Sequence, residues 1–237
     1  MIILETERLI LREMTLNDLP ATREIVCDEQ TMYAWNEALS EDANLTELKK
    51  QTRGYREDGF GRWAVVLKET GKVIGICGLQ WCDTDQDKVL EIGYFFNRAY
   101  WHNGYATEAV VACKHYAFNV LKVDEVFSLV SDTNIASMNV AIRNGMIVRR
   151  RYMKHYKGED IPHYVFSVRK NEDCAGAEFA TEELADAHRS LLSTLNKCKK
   201  VLESDKLPQS QRTLTERRVT ALKLALILVG REQESKP

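Results

Sequence analysis

The 237-residue chain has no run of eighteen apolar residues; ALKLALILVG, the nearest approach, is far too short to span a bilayer. It has no basic start followed by an apolar block. MIILETERLILREM instead sets acids and arginines among its apolar residues, so no secretory leader is expected. It has no CxxC pair and no Cys/His cluster at zinc-finger spacing. The six cysteines (Cys27, Cys77, Cys82, Cys113, Cys174, Cys198) are scattered, as thiols of a reducing compartment are. It has little net charge, −2, which points away from nucleic acid. The triplet Arg149, Arg150, Arg151 is a local basic spot that reads equally as solvated arginines at a strand end. GxxxxGK[ST] and GxGxxG are both missing, which disfavours a nucleoside-triphosphate loop and a dinucleotide fold. These absences lead us to expect a cytoplasmic protein with no metal, no membrane partner and no nucleic-acid partner.

What is present suits one domain with an appendage: 44% hydrophobic and 29% charged residues. ERLILRE (7–13) alternates apolar and polar, as a half-buried strand does. Asn17 or Asp18 then caps a helix through about Val26, with Pro20 tolerated in its first turn. A second helix is read over 44–58. RWAVVLKE (62–69) and KVIGICGLQWC (72–82) are strands joined by a hairpin-type turn at Thr70 and Gly71. VLEIGYFF (89–96) is a third strand of this group. A helix from about Gly104 to Leu121 follows, with Ala109, Val110, Cys113, Ala117, Phe118 and Leu121 at helical spacing. EVFSLVS (125–131) is a strand, and 134–145 is a short helix stopped by Gly145. Strands at 146–153 and 161–170 close the domain across a turn at Gly158. The order β-α-α-β-β-β-α-β-α-β-β mixes hairpins with one βαβ crossover, an α+β pattern.

After a polar, small-residue stretch at 171–177, strand signals vanish. Leu184, His188, Leu191, Leu195, Cys198 and Leu202 step by four and three, a narrow heptad-like stripe. Pro208 breaks it, and Leu214, Arg218, Ala221, Ala225 and Leu228 continue the step on a second helix. We therefore read 1–170 as one domain, 171–177 as a linker and 178–237 as a helical hairpin. A lone hairpin buries little core. It must dock on the main domain or pair with a second copy, and a homodimer through the hairpin is the expectation carried forward.

WHNGYATEA (101–109) raises a question of chemistry. The first N–H groups of a helix have no internal partner and carry a partial positive charge. A phosphate placed there gains several hydrogen bonds at once, and Gly104 removes the Cβ that would hold it off. The preceding strand supplies the strand–loop–helix context. By itself the stretch also reads as plain helix entry.

EIGYFF followed by YWHNGYATEA, with TERLILRE near the start and NIASMNVAIRNGM later, resembles the GNAT acetyltransferases over about residues 1–170. Within them the RimJ/RimL-like branch is the nearest match. The resemblance implies a central mixed, mostly antiparallel sheet flanked by helices, and transfer of an acetyl group from acetyl-CoA to an amine. It implies that the pantetheine arm lies along Tyr94, Phe95 and Phe96. The diphosphate is implied to sit on His102, Asn103, Gly104, Tyr105, Ala106 and Thr107, the loop that Trp101 opens. Asn134 matches a residue that touches the cofactor arm. Ser137 matches a serine that protonates the leaving thiolate. Asn97 and Arg98 stand where many relatives carry Pro, and AIRNG lacks the Tyr that other branches use.

The reaction itself sets requirements. An amine near pKa 8–10 is mostly protonated at neutral pH, so a base is useful. Glu91 is placed to take that proton through water, or else is a structural carboxylate bonded to a neighbouring strand. Ser137 donates toward sulfur, or else is a helix-cap hydroxyl. A backbone N–H in the Phe95–Phe96 region serves the oxyanion. His155 and His163 flank the last turn as further candidate bases or as incidental histidines. Tyr33, Trp35 and Trp81 are candidate walls of the acceptor pocket. The expected acceptor is a protein N-terminus or a small amine. A non-catalytic acyl-CoA-binding module, with its hairpin on a partner protein, is the competing reading.

Overall fold

The computed structural model of the protein describes residues 1–33, 38–156, 158–173 and 181–203, with scattered helical positions between 211 and 226. The chain forms two compact units, Met1–Ala175 and Gly176–Pro237. The first runs β1 (Ile2–Glu5), β2 (Leu9–Arg12), α1 (Leu19–Val26), α2 (Glu41–Glu57), β3 (Arg62–Leu67), β4 (Val73–Asp83) and β5 (Lys88–Phe96). It continues α3 (Tyr105–Asn119), β6 (Glu125–Ser131), α4 (Ile135–Arg143), β7 (Ile147–Tyr156) and β8 (Glu159–Arg169). The eight strands form one sheet in the order β1-β2-β3-β4-β5-β6-β8-β7. Every neighbouring pair is antiparallel except β5 and β6. That parallel pair needs a crossover, which α3 supplies.

The mixed sheet and its flanking helices match the expected fold class, with three local differences. β1 is an additional strand at the sheet edge. None of its four residues is buried, so it lacks the half-buried alternation that marks a strand in sequence. Asp18 does not cap α1 through its side chain. Its carboxylate turns back to the Thr15 N–H (2.8 Å) and to Arg12 (2.7 Å), holding a short 3₁₀ turn ahead of the helix. The arginine triplet is not merely solvated. Arg149 pairs with Glu172, Arg150 with Asp85 and Arg151 with Asp132, which ties β7 to three different loops.

Strand parity divides the core. Leu9, Leu11, Trp63, Val65, Leu79 and Ile92 pack with Ala109, Val110, Cys113 and Ala117 of α3. Met14, Ile25, Val26, Leu48, Ala64 and Ile76 pack on the face covered by α1 and α2. One polar intruder sits in the α3 layer. Lys114 is fully buried and donates to the Asn144 carbonyl (3.0 Å) and to Asp173 (2.6 Å).

In the second unit, α5 spans Thr181–Leu202, and helical residues recur at 211–213, 215, 216, 219, 222, 223 and 226. His188, Leu191, Leu195, Cys198 and Leu202 are its more covered positions, while Leu192 and Val201 between them are exposed. The side chain of Leu184 and the turn at Pro208 lie outside the described residues. Among the described residues, no helix is long and apolar enough to cross a membrane.

Removing one partner of a buried ion pair strands the other charge. Asp173→Asn should therefore lower stability by about 3 kcal/mol. Urea unfolding followed by tryptophan fluorescence checks this, since all four tryptophans precede residue 175. A loss below about 1 kcal/mol would mean the pair is as weak as a surface bridge.

Candidate active site

The parallel pair is where the sheet opens. Glu91 and Phe127 are its register pair. One step on, Ser128 Oγ donates to the Ile92 carbonyl (3.1 Å) in place of a ladder bond. Beyond that point the strands diverge, and a gap of about 50 Å³ lies between Glu91–Phe95 and Ser128–Ser131. The Asn97 N–H donates to Ile74 of β4. Alternation along an antiparallel strand then turns the Phe95 amide toward β4 and the amides of Tyr94 and Phe96 toward the gap. Of the expected Phe95–Phe96 region, only the Phe96 amide faces away from β4, and Tyr94 presents its amide on the same side.

On one side of the gap is a cavity of about 620 Å³. Tyr94, Phe95, Phe96, His102, Gly104, Tyr105, Ala106, Thr107, Asn134 and Ser137 all line it, so most of the expected cofactor residues come together. The start of α3 faces this space. His102 and Gly104 have positive φ (63° and 80°), and no side chain caps the helix. Its first ladder bond runs from the Glu108 N–H to the Gly104 carbonyl (3.0 Å), so the amides of Tyr105, Ala106 and Thr107 precede the ladder. Asn103 does not line the cavity. Its amide folds back to the Tyr100 and Trp101 carbonyls, and its own carbonyl accepts from Arg8 (3.0 Å). The Trp101 indole N–H donates to the Phe96 carbonyl (2.7 Å), strapping the loop to the end of β5.

Glu108 is the one acid in the first turn of α3, and it is turned away. It accepts from Thr6 Oγ1 (2.6 Å), the Arg8 N–H (2.9 Å) and Arg8 Nε (2.7 Å). Burial works against its charge, and these bonds outweigh it, holding the carboxyl below its ordinary value. Nothing in the sequence pattern marks Arg8, since its partner is a hundred residues away.

Ser137 begins α4 beside the cavity. Its N–H is capped by Asn134 Oδ1 (3.0 Å), which also accepts from the Tyr33 hydroxyl (3.3 Å). The cap is therefore Asn134, and the Ser137 hydroxyl is not spent on that task. The Tyr94 hydroxyl donates to the Ser137 carbonyl (3.4 Å), and burial foremost pushes its pKa up, so it stays protonated.

Across the gap, on the α1–α2 face, is a second cavity of about 360 Å³. Glu91 borders both it and the gap. Arg62 Nη2 (3.4 Å) and the Cys82 thiol (3.1 Å) both donate to Glu91 Oε2. Burial first, and Glu91 next, push Cys82 up to about 12, so it remains a donor. Gly93 makes room for this arrangement: a Cβ there would sit 2.7 Å from Arg62 Nη2. Arg62 and Cys82 were not singled out from the sequence. Their only mark is parity, which places Cys82, Gln80 and Glu91 on one face.

The aromatic residues separate. Tyr33 borders the 620 Å³ cavity, edge-on to Trp101 at 6.0 Å. Trp81 lines neither cavity. It is one residue out of phase with Gln80 and Cys82, so it lies on the opposite face, against Phe60 and Lys88. Trp35 lies outside the described residues. A wider groove of about 1090 Å³ runs along α1 to Arg98 and His102, but it reaches neither Glu91 nor Ser137. Among the described residues, no cluster of His, Cys, Asp and Glu could hold a metal ion.

Comparison with known proteins agrees with this geometry. Residues 8–147 match the family described as an acetyltransferase (GNAT) domain. The Bacillus subtilis protein YkkB is 32% identical over 60% of this chain and 84% of its own length. The N-acetyltransferase p20 of Bacillus licheniformis is 29% identical over 71% of this chain and 97% of its own. The solved structure of RimL, a ribosomal-protein acetyltransferase in complex with coenzyme A, superposes with a TM-score of 0.57. It is 16% identical, over 73% of this chain and all (100%) of its own length, a likeness of fold. The chain belongs to the GNAT acetyltransferase family. It is an acetyl-CoA-dependent N-acetyltransferase, and these similarities do not favour the non-catalytic module.

The bare amides and the positive φ at Gly104 fit a diphosphate. A Cβ at Gly104 would meet only Arg8 Nη2, at an ordinary 3.5 Å, so substitution acts through the backbone. Left-handed geometry costs a residue with a Cβ about 1–2 kcal/mol. Gly104→Ala should raise the Kd for coenzyme A about tenfold by titration calorimetry. An unchanged Kd would place the diphosphate elsewhere.

Proposed function

We propose that this acetyltransferase modifies a compact primary amine, either a small molecule or the first residue of a protein, by direct attack within a ternary complex. The observation that carries this reading is the placing of two proton-handling groups at one narrow gap. Glu91 borders the gap and the α1–α2 cavity; Ser137 borders the gap and the cavity at the start of α3. In this reading the diphosphate of acetyl-CoA is held by the amides of Tyr105, Ala106 and Thr107, and its arm runs past Asn134 along the gap-facing edge of Tyr94 and Phe96. When bound, acetyl-CoA supplies the thioester carbonyl.

The acceptor enters from the α1–α2 side. Glu91 draws its ammonium and begins removal of a proton through water. The Tyr94 or Phe96 amide donates to the carbonyl oxygen as charge grows there. The Ser137 hydroxyl donates toward sulfur. The α1–α2 cavity carries Lys50, Arg62 and Lys154 against Glu47 and Glu91, so it disfavours a polycation. Its 360 Å³ suits a compact amine. A screen of small amines and N-terminal peptides, read by thiol release from acetyl-CoA, tests the proposal. No release with any acceptor would sink it.

Glu91→Gln keeps the shape but loses the base. It should lower kcat/KM about 10²–10⁴-fold while leaving coenzyme A affinity within twofold. Ser137→Ala should lower kcat about tenfold or more with little change in the KM for acetyl-CoA.

We further propose that the second unit pairs two copies of the chain, with its exposed Leu192 and Val201 set against the twin. Light scattering on a chain lacking 178–237 checks this. The shortened chain should be monomeric where the full chain is dimeric, and equal oligomeric states would count against the idea. The free Cys27, Cys77, Cys82, Cys113 and Cys198 support action in a reducing compartment such as the cytoplasm.

A further inference from the structure

The proton that leaves the acceptor at Glu91 needs somewhere to go. His163 lies on β8, in register with Ser131 of β6 and Tyr152 of β7. Its side chain borders the β5–β6 gap together with Glu91, Asn134 and Ser137. It is a buried histidine, 7% exposed, inside the sheet rather than on a surface loop. Its Nδ1 lies 3.0 Å from the Ile161 carbonyl. A carbonyl can only accept, so Nδ1 carries a hydrogen and, in the neutral ring, Nε2 carries the lone pair.

The ring is held neutral. Burial, the largest influence, and then Lys154 lower its pKa; the Ile161 bond, Glu91 and Asp132 work the other way. The charged and titratable groups around it are Glu91 from β5, Arg62 from β3, Tyr152 and Lys154 from β7, and Asp132 beyond β6, itself paired with Arg151. The Tyr152 ring packs against His163 at 5.9 Å. Its buried hydroxyl has no partner among the described residues. The gap that His163 borders, about 50 Å³, has room for at least one water.

We propose that His163 is the second station on the acceptor's proton path, taking at Nε2 the proton that leaves the ammonium beside Glu91, through water in the gap. The proposal rests on the reading of Glu91 given above. The amine lone pair freed in this way forms the N–C bond to the acetyl carbon, and the C–S bond breaks. The second N–H proton passes to the thiolate by way of the Ser137 hydroxyl. His163 then returns its proton to solvent. One proton leaves overall, and no further reactant enters.

The test uses the full chain and the best amine from the acceptor screen. His163→Asn keeps a donor for the Ile161 carbonyl and removes the base. With melting temperature and coenzyme A affinity unchanged, kcat at pH 7 should fall about tenfold to a hundredfold. The wild-type kcat should decline as pH drops below the ordinary imidazole value of about 6.5, and this acid limb should be missing from the variant. A variant kcat within twofold of wild type, or an unaltered acid limb, overturns the proposal. Should His163→Asn not fold, the wild-type ring is followed by NMR in the coenzyme A complex. Titration below 6.5 supports the relay, and a ring that takes no proton down to pH 4.5 overturns it. Failure of the Glu91 reading is seen separately, as full activity in Glu91→Gln, and failure of the acetyltransfer reading as a wild type inert toward every amine.

Discussion

The site depends on two parallel strands that stop pairing. β5 and β6 meet at Glu91 and Phe127, and then the ladder is abandoned. An amide left without a partner inside a protein costs about 1–3 kcal/mol. The Ser128 hydroxyl meets part of that demand at Ile92. Further along β5, the amides of Tyr94 and Phe96 turn away from β4. The same gap is bordered by residues of both cavities, Ser137 from one and Glu91 from the other.

Electrostatics keeps the neighbouring helix end available. A carboxylate in the first turn of a helix ordinarily settles on the free amides. Glu108 is in that turn, and Thr6 and Arg8 from the β1–β2 connection hold it facing the other way. An anion arriving from outside then finds bare N–H groups rather than an occupied cap. The chain therefore spends an arginine from its first thirty residues to preserve a vacancy in the middle of the fold.

Much of this was legible in the sequence, and the illegible part has a pattern. Strand and helix order followed from periodicity, and a helix opening on Gly104 followed from WHNGYATEA. Signals that are local in the chain were readable. β1 escaped because a short, unburied edge strand carries no alternation. Trp81 was grouped with the acceptor pocket because composition records an aromatic but not its phase; one step of strand parity sends it to the other face. Arg8 and Arg62 carry no mark because each acquires its role from a residue distant in sequence, and Cys82 because its partner is set by the register of the β4–β5 hairpin. The division of labour at α4 was also hidden. Asn134 and Ser137 both suit a cap, and only the fold shows that the asparagine takes it.

The Trp101 indole joins things that need not have been joined. Its N–H grips the last carbonyl of β5, and its ring supports Tyr33, whose hydroxyl leans on Asn134. The loop ahead of α3, the end of β5, Tyr33 and the start of α4 thus meet around one aromatic ring. A change at the Trp101 ring therefore reaches Tyr33 and, through its hydroxyl, the Asn134 oxygen that caps α4.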